Sequence, residues 1–362
     1  MKELKHLELF AGIGGFRRAI DLFCNDNKIT STCVGFSEID KYAVQSYKSI
    51  HSAHSELALG DIKQFTSDKK NIKKLPDFDL ISGGFPCQAF SMMGKQKGFE
   101  DDRGNIFYSI IEILKIKKPK FLLLENVRNL KNHDDGKTYK EIKRSLTEDA
   151  GYDVKSIILD TKNYGLPQTR RRIFLFGVNK EHVSKKTSNI EITEKDIIES
   201  SSKLNGTTSL NNYNNVLDLL NKEVEEKYYL SERIKPTILA NGSKNFKSKS
   251  EINQLIARPL TATMGKMHRA CQDNYYSDAF LEAMSPEKYL EQSFPKEIEA
   301  KHRIRKITPE EAFMLQGFNE KDVLIASKEG VSNAQLYKQA GNAVSVNTVY
   351  CLLNHLIKTE WS

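Results

Sequence analysis

The five cysteines of this chain, Cys24, Cys33, Cys87, Cys271 and Cys351, are scattered, and no two form a C-x-x-C pair. That argues against a disulfide framework and a thiolate zinc site, so a cysteine that matters here matters singly. No His/Cys cluster is spaced to hold a metal, and none is expected. Also missing is any apolar run near the roughly 20 residues that a membrane helix requires. Residues 1–30 lack the basic, apolar and cleavage-site order of a signal peptide, so no membrane association and a cytoplasmic location are expected. What is present is ample. With 362 residues, about two domains are expected at roughly 150 residues each. The 18 Phe and 14 Tyr are too many for a disordered chain. Lys and Arg outnumber Asp and Glu by 55 to 47, a net charge of +8 that is compatible with a polyanionic partner.

Through the first half, strand-like and helix-like segments alternate. Residues 6–11 (HLELFA), 33–38 (CVGFSE), 78–83 (FDLISG), 120–125 (KFLLLE), 155–160 and 172–178 (RIFLFGV) read as strands. Between them, residues 15–25, 41–50, 105–117 and 139–149 have helical periodicity. This order predicts an α/β fold with a Rossmann-like, doubly wound, mostly parallel sheet, in which ligands bind beyond the carboxyl ends of the strands. From residue 185 to 215 the chain turns rich in Ser, Thr, Asn and Lys. A second, smaller domain is therefore expected over residues 180–333. Residues 334–362, which end in a helical pattern, return to residues 1–179 and make the first domain discontinuous.

The run LFAGIGG, residues 9–15, places glycines between a strand and a helix, where the backbone turns sharply and free N–H groups can meet a ligand. A tight turn without a ligand accounts for it too. Glu38, ending the second strand, can accept from both hydroxyls of a ribose, and Asp61 in GDI can accept from an adenine amino group. Phe16, Arg17 and Arg18 break the full G-x-G-x-x-G pattern, which favours S-adenosylmethionine over a dinucleotide. In LISGGFPCQAFS, residues 80–91, Cys87 stands just past a strand end in a polar setting suited to a nucleophile. Isolated cysteines are otherwise most often small buried hydrophobes.

These residues carry a resemblance. GGFPCQAFS, ENV at 125–127, QTRRRIF at 168–174, FAGIGG near the start and GNAVSV near the end occur in the order of the cytosine-5 DNA methyltransferases. The likeness covers residues 7–178 and 303–347 and is strongest to compact bacterial enzymes of restriction-modification systems. It implies the S-adenosylmethionine-dependent methyltransferase fold with a target-recognition domain, and methylation of C5 of a flipped-out cytosine in a short duplex sequence. It implies Cys87 as the nucleophile toward C6, with Glu125 holding the base through N3 and the exocyclic amine. Arg170 and Arg172, on alternate positions of an extended segment, are expected to face the glutamate and the base O2 together, with Arg171 turned away.

For the cofactor, S-adenosylmethionine converted to S-adenosylhomocysteine, the resemblance implies Phe10, Gly12, Gly14 and Gly15 at the methionine moiety. Glu38 and Ile39 fall at the ribose and adenine, with Asp61 and Ile62 beside the adenine, and Pro86 and Asn342 complete the pocket. Ile39 stands where close relatives often place an aromatic ring.

Double-stranded DNA is the implied partner, since a base inside a duplex must leave the stack before a thiolate can reach it. The loop 88–105 matches the family's mobile catalytic loop, with Gln88, Ser91, Lys95 and Arg103 as candidate DNA contacts. In the second domain, Thr261 and Thr263 of RPLTAT match a contact to the displaced nucleotide's backbone, and Lys266, His268 and Arg269 are candidates for base edges or phosphates. An ordinary surface loop explains these side chains as well. Residues 277–300 read as a helical, acidic insertion or support. A restriction endonuclease is a possible functional partner, and a monomer acting on bacterial nucleoid DNA is expected. Three alternatives make different predictions. A tRNA-methylating relative should carry a Cys-Phe-Thr signature, which does not occur here; a non-catalytic relative should lack Cys87 or Glu125; an NAD-dependent oxidoreductase leaves PCQ and ENV unexplained. Residues 1–179 carry 30 basic and 23 acidic side chains, and residues 231–275 carry 8 and 3. The positive charge thus falls on the catalytic half and around RPLTAT.

Overall fold

A run such as FLLL, residues 121–124 and apolar at every position, is a strand buried on both faces, and a sheet made of such strands needs cover on each side. The computed structural model describes residues 1–86, 106–182, 192–202, 208–241 and 249–359. Its main sheet has six strands, β1 (Glu3–Leu9), β2 (Thr30–Ser37), β3 (Leu80–Gly84), β4 (Phe121–Val127), β5 (Tyr152–Asp160) and β6 (Arg171–Asn179), in the order β2-β1-β3-β4-β6-β5. The first four run parallel, and β6 lies antiparallel between β4 and β5.

Alternate strand residues, among them Leu7, Leu9, Ile81, Leu122, Leu124, Ile173 and Leu175, share one apolar core with Ile62, Ile72, Phe107, Ile110, Ile142 and Leu146 from the helices. Helix α1 (Gly15–Asp26) packs with the helix Val346–Thr359, where Phe23 meets Tyr350 edge-on at 6.0 Å and the Tyr350 hydroxyl donates to Asp26.

The chain divides into two compact units. One comprises Met1–Asp160, Arg171–Leu210 and Val346–Ser362, the other Thr161–Arg170 and Asn211–Ser345. These limits differ from the boundaries at 179/180 and 333/334 expected from composition, for local reasons. Helix Glu194–Ser202 packs on Val346–Thr359, and Glu194 accepts from the Asp160 N–H at 3.0 Å, which keeps this polar stretch with the sheet. Thr161–Arg170 leaves the sheet between β5 and β6 and bonds by its backbone to Ala257. Helix Asn333–Asn342 stays with the second unit, because Gln316 donates to the Ala340 carbonyl and the Tyr337 hydroxyl to that of Ile307.

The acidic stretch 277–300 is three short helices, Asp278–Leu281, Pro286–Glu291 and Lys296–Glu299, rather than one. Pro286 and Pro295 cannot donate to a continuing ladder. It is inserted between β7 (Tyr275–Ser277) and β8 (Ile304–Lys306), which pair antiparallel.

The second unit holds a charge pair with no solvent exposure. Arg305 meets Glu311 through two bonds of 2.8 Å and donates to the Asn221 carbonyl, while Glu311 accepts from the N–H groups of Asn221 and Thr308. Truncating one partner strands the other charge in the interior. Arg305→Ala is therefore expected to cost about 3–5 kcal/mol in urea unfolding. A loss below 1 kcal/mol would show that the charge is relieved in some other way.

Candidate active site

The ends of β1 and β2 are tied together by the residues expected to meet a cofactor. Past Leu9 the chain turns through Phe10 and Gly12, both at positive φ (53° and 55°). The Ala11 N–H donates to the Ser37 carbonyl at 2.9 Å, and the Gly12 N–H to Glu38 Oε2 at 2.8 Å. Glu38 Oε1 accepts from the N–H groups of Ile39 and Asp40 at 2.8 and 2.9 Å. Ile39 itself is 76% exposed, unusual for an isoleucine beside an ordered carboxylate. Asp61 caps the helix Ile62–Ser67 through Oδ1, which accepts from the Lys63 N–H. Ile62 is 1% exposed and packs within the apolar core.

Beneath this turn lie groups that sequence reasoning missed. Gly14 caps α1 at φ 81°, and a Cβ there would lie 2.2 Å from His51 Nε2. That nitrogen lies 3.0 Å from the Ile13 carbonyl. Burial, helped by the Arg18 charge, lowers the His51 pKa to about 3, so the ring is neutral at pH 7 and donates from Nε2. Tyr47, on helix α2 (Lys41–Ile50), stacks on Phe36 at 4.1 Å and donates to Glu8, whose carboxyl is pushed up to about 8 by burial. The helical spacing of Tyr47 and His51 was the available signal.

The second cluster forms where β4 passes between β3 and β6. Glu125 pairs with Gly84 on one side and Phe174 on the other, which sets Arg172 diagonally across on the same face. Arg172 Nε lies 3.0 Å from Glu125 Oε1, and the glutamate side chain is 12% exposed. A Cβ at Gly84 would stand 3.1 Å from Glu125 Oε2. Asn126, within the quoted ENV but given no role there, donates to the Phe85 carbonyl at 2.8 Å and fixes the chain just before Pro86, which is exposed. Cys87, Gln88, Ser91, Lys95 and Arg103 lie outside the described residues. Arg171 is turned to Asp160 at 3.0 Å.

Arg170 does not share the direction expected for it. It is buried in the second unit and donates to the carbonyls of Leu260, Gly341 and Ala343. Strand β6 starts only at Arg171, so the two-residue alternation that would align Arg170 with Arg172 does not reach it. Gln168 Oε1 accepts from the Leu260 N–H, so both backbone groups of Leu260 are clamped by the QTR stretch. Gly341 is needed beside it, since a Cβ there would fall 2.2 Å from the Thr261 carbonyl carbon. Asn342, next in sequence, is exposed at the end of its helix.

Thr263, Lys266 and His268 are exposed and Thr261 partly so. Arg269 is not available to read a base edge bidentately. Its guanidinium donates to Thr261 Oγ1, Thr263 Oγ1 and Asp273.

The family model described as C-5 cytosine-specific DNA methylase matches residues 4–358. The chain is 35% identical to the type II methyltransferase M.SsoII of Shigella sonnei over 98% of its own length and 80% of that protein's. It is 30% identical to the orphan methyltransferase M.SPRI of Bacillus phage SPR, covering 99% and 98%. In structure it is similar to the S. pombe Dnmt2 methyltransferase, with a TM-score of 0.72 and 99% of both chains covered, at 20% identity that carries the fold alone. A match of this extent, on a sheet of this order, makes the chain a member of the C-5 cytosine-specific DNA methylase family.

Proposed function

We propose that the chain methylates C5 of a cytosine flipped out of duplex DNA, with Cys87 as nucleophile, Glu125 and Arg172 on the base, and S-adenosylmethionine as methyl donor. The observation that carries this reading is the 3.0 Å pair between Arg172 on β6 and Glu125 on β4, the strand beside the one that leads into Pro86 and Cys87. C5 of cytosine is a poor nucleophile. Thiolate addition at C6 breaks the C5=C6 double bond and leaves an enamine across C4=C5 whose C5 can attack the methyl group, while Glu125 holds N3 and the exocyclic amine as charge gathers on the ring nitrogen. Arg172 keeps the carboxylate in place.

The turn fits a nucleoside-bearing sulfonium. Glu38 offers carboxylate lone pairs, Ile39 an exposed apolar face for a ring, and Gly12 and Gly14 a close backbone approach. When bound, S-adenosylmethionine supplies an electrophilic methyl group. Phe10, Gly12, Gly14, Gly15, Glu38, Ile39, Asp61, Ile62, Pro86 and Asn342 are the residues proposed to hold it. Gly14→Ala forces an L-residue to φ 81°, at about 1–2 kcal/mol, and crowds His51. The Kd for S-adenosylmethionine is expected to rise about tenfold by calorimetry; an unchanged Kd would remove the turn from the binding site.

Thr261, Thr263, Lys266 and the basic catalytic half are proposed to meet DNA, together with Gln88, Ser91, Lys95 and Arg103. With as few as two phosphate contacts, duplex affinity should fall about tenfold between 50 and 200 mM salt. Salt-insensitive binding would contradict this. The type II names of several relatives support pairing with a restriction endonuclease, and we extend the proposal to a monomer acting on DNA in the bacterial cytoplasm. No described helix is long and apolar enough to cross a membrane.

The deciding experiment is bisulfite sequencing of a plasmid incubated with the protein and S-adenosylmethionine. Protection of one cytosine within a short recurring sequence is expected. Methyl incorporation into RNA but not into duplex DNA would overturn the reading.

A further inference from the structure

The two threonines of RPLTAT share one organiser. Arg269 Nη1 donates to Thr263 Oγ1 at 2.9 Å and Nη2 to Thr261 Oγ1, while Asp273 accepts from Nη2 at 2.7 Å and from Nε at 3.4 Å. Four of the five guanidinium N–H groups are used in this way. A hydroxyl has one proton and two lone-pair directions. Once the guanidinium has taken a lone pair on each oxygen, the hydroxyl proton must point away from it, and each threonine becomes a donor toward solvent.

The backbone beneath is equally fixed, with Leu260 clamped at both ends and the Cβ-free Gly341 packed against Thr261. Lys266 is exposed, and its N–H donates to the Thr263 carbonyl, which sets its turn beside the threonines. The Arg269 charge is itself matched by Asp273, 8% exposed. Two outward hydroxyl donors beside a lysine suit an anionic acceptor that carries no sequence information.

We propose that Arg269 is a positioning residue that presets Thr261 and Thr263 as hydroxyl donors for a phosphodiester of bound DNA, without touching the nucleic acid itself. This rests on the reading that the chain acts on duplex DNA. A neutral hydroxyl contact releases no counterion, whereas a direct Arg–phosphate contact does. The two roles therefore differ in the salt dependence of binding.

The test measures duplex affinity by fluorescence anisotropy at several salt concentrations for wild type, Arg269→Gln, the pair Thr261→Val and Thr263→Val, and all three changes together. Arg269→Gln is expected to raise Kd about tenfold with the slope of log Kd against log salt unchanged. At saturating DNA, kcat should stay within about twofold, and KM should carry the loss. The triple variant should bind no worse than the double-threonine variant, since the arginine acts through the hydroxyls. Arg269→Lys keeps the charge but not the fork, and should behave as Arg269→Gln.

A Kd within twofold of wild type, a slope reduced by about 0.9, or fully additive losses would overturn the proposal. Should Arg269→Gln fail to fold, the near-isosteric double-threonine variant decides alone, and unchanged affinity there also overturns it. Wild-type protein that binds no duplex at any salt would instead sink the underlying reading.

Discussion

Cys87→Ser is expected to abolish the denaturation-resistant adduct that wild-type protein forms with a duplex carrying 5-fluorocytosine in the presence of S-adenosylmethionine. Fluorine at C5 cannot leave as a proton does, so the reaction halts with the thiol still bonded to C6. A serine hydroxyl in the same place is almost wholly protonated at pH 7 and a far weaker nucleophile than a thiolate. Methyl transfer to an unmodified duplex should fall by about 10⁴-fold or more. Duplex affinity should stay within a few-fold of wild type, because phosphate contacts made by other residues dominate binding. A variant that binds but neither reacts nor traps separates loss of the nucleophile from loss of the fold. An adduct that survives the substitution, or a rate within tenfold of wild type, would show that another group attacks C6.

The strands that carry this chemistry were legible because they are buried on both faces. KFLLLE and RIFLFGV have no polar interruption to confuse the assignment, and β4 and β6 fall within two residues of the expected limits. Glu125 and Arg172 inherit their places from those strands. Arg170 was not legible, because the alternation that aligns side chains holds only inside a strand and β6 begins one residue later. By composition alone Arg269 is a candidate for a base edge or a phosphate. Its engagement with Asp273 and two threonines depends on how a loop closes, which no local pattern encodes. The same limit hid Gly341, whose role is close backbone packing on Thr261. Residues 277–300 had acidic helix-like composition, but Pro286 and Pro295 divide them.

Glu125→Gln separates holding the base from stabilising its charge. A glutamine amide can still donate to N3 and accept from the exocyclic amine, so the ground state of the flipped cytosine keeps both hydrogen bonds and KM for DNA should change little. What it cannot do is supply a proton to N3, or carry negative charge against it, as thiolate addition drives electrons onto the ring. The expected result is a fall in kcat of about 10²–10³ with KM within threefold, in steady-state methylation of a duplex substrate. Arg172→Ala should lose a similar factor by a different route. With the side chain only 12% exposed, Glu125 would be left without the cation 3.0 Å from its Oε1 and free to turn from the base. Arg172→Lys should recover part of the rate, since it restores charge but not the guanidinium geometry. If the two side chains act as one unit, the double variant loses no more than the worse single one. Losses that multiply would mean that Arg172 contacts the base independently of Glu125, and a Glu125→Gln enzyme that keeps its kcat would remove the carboxylate from the reaction.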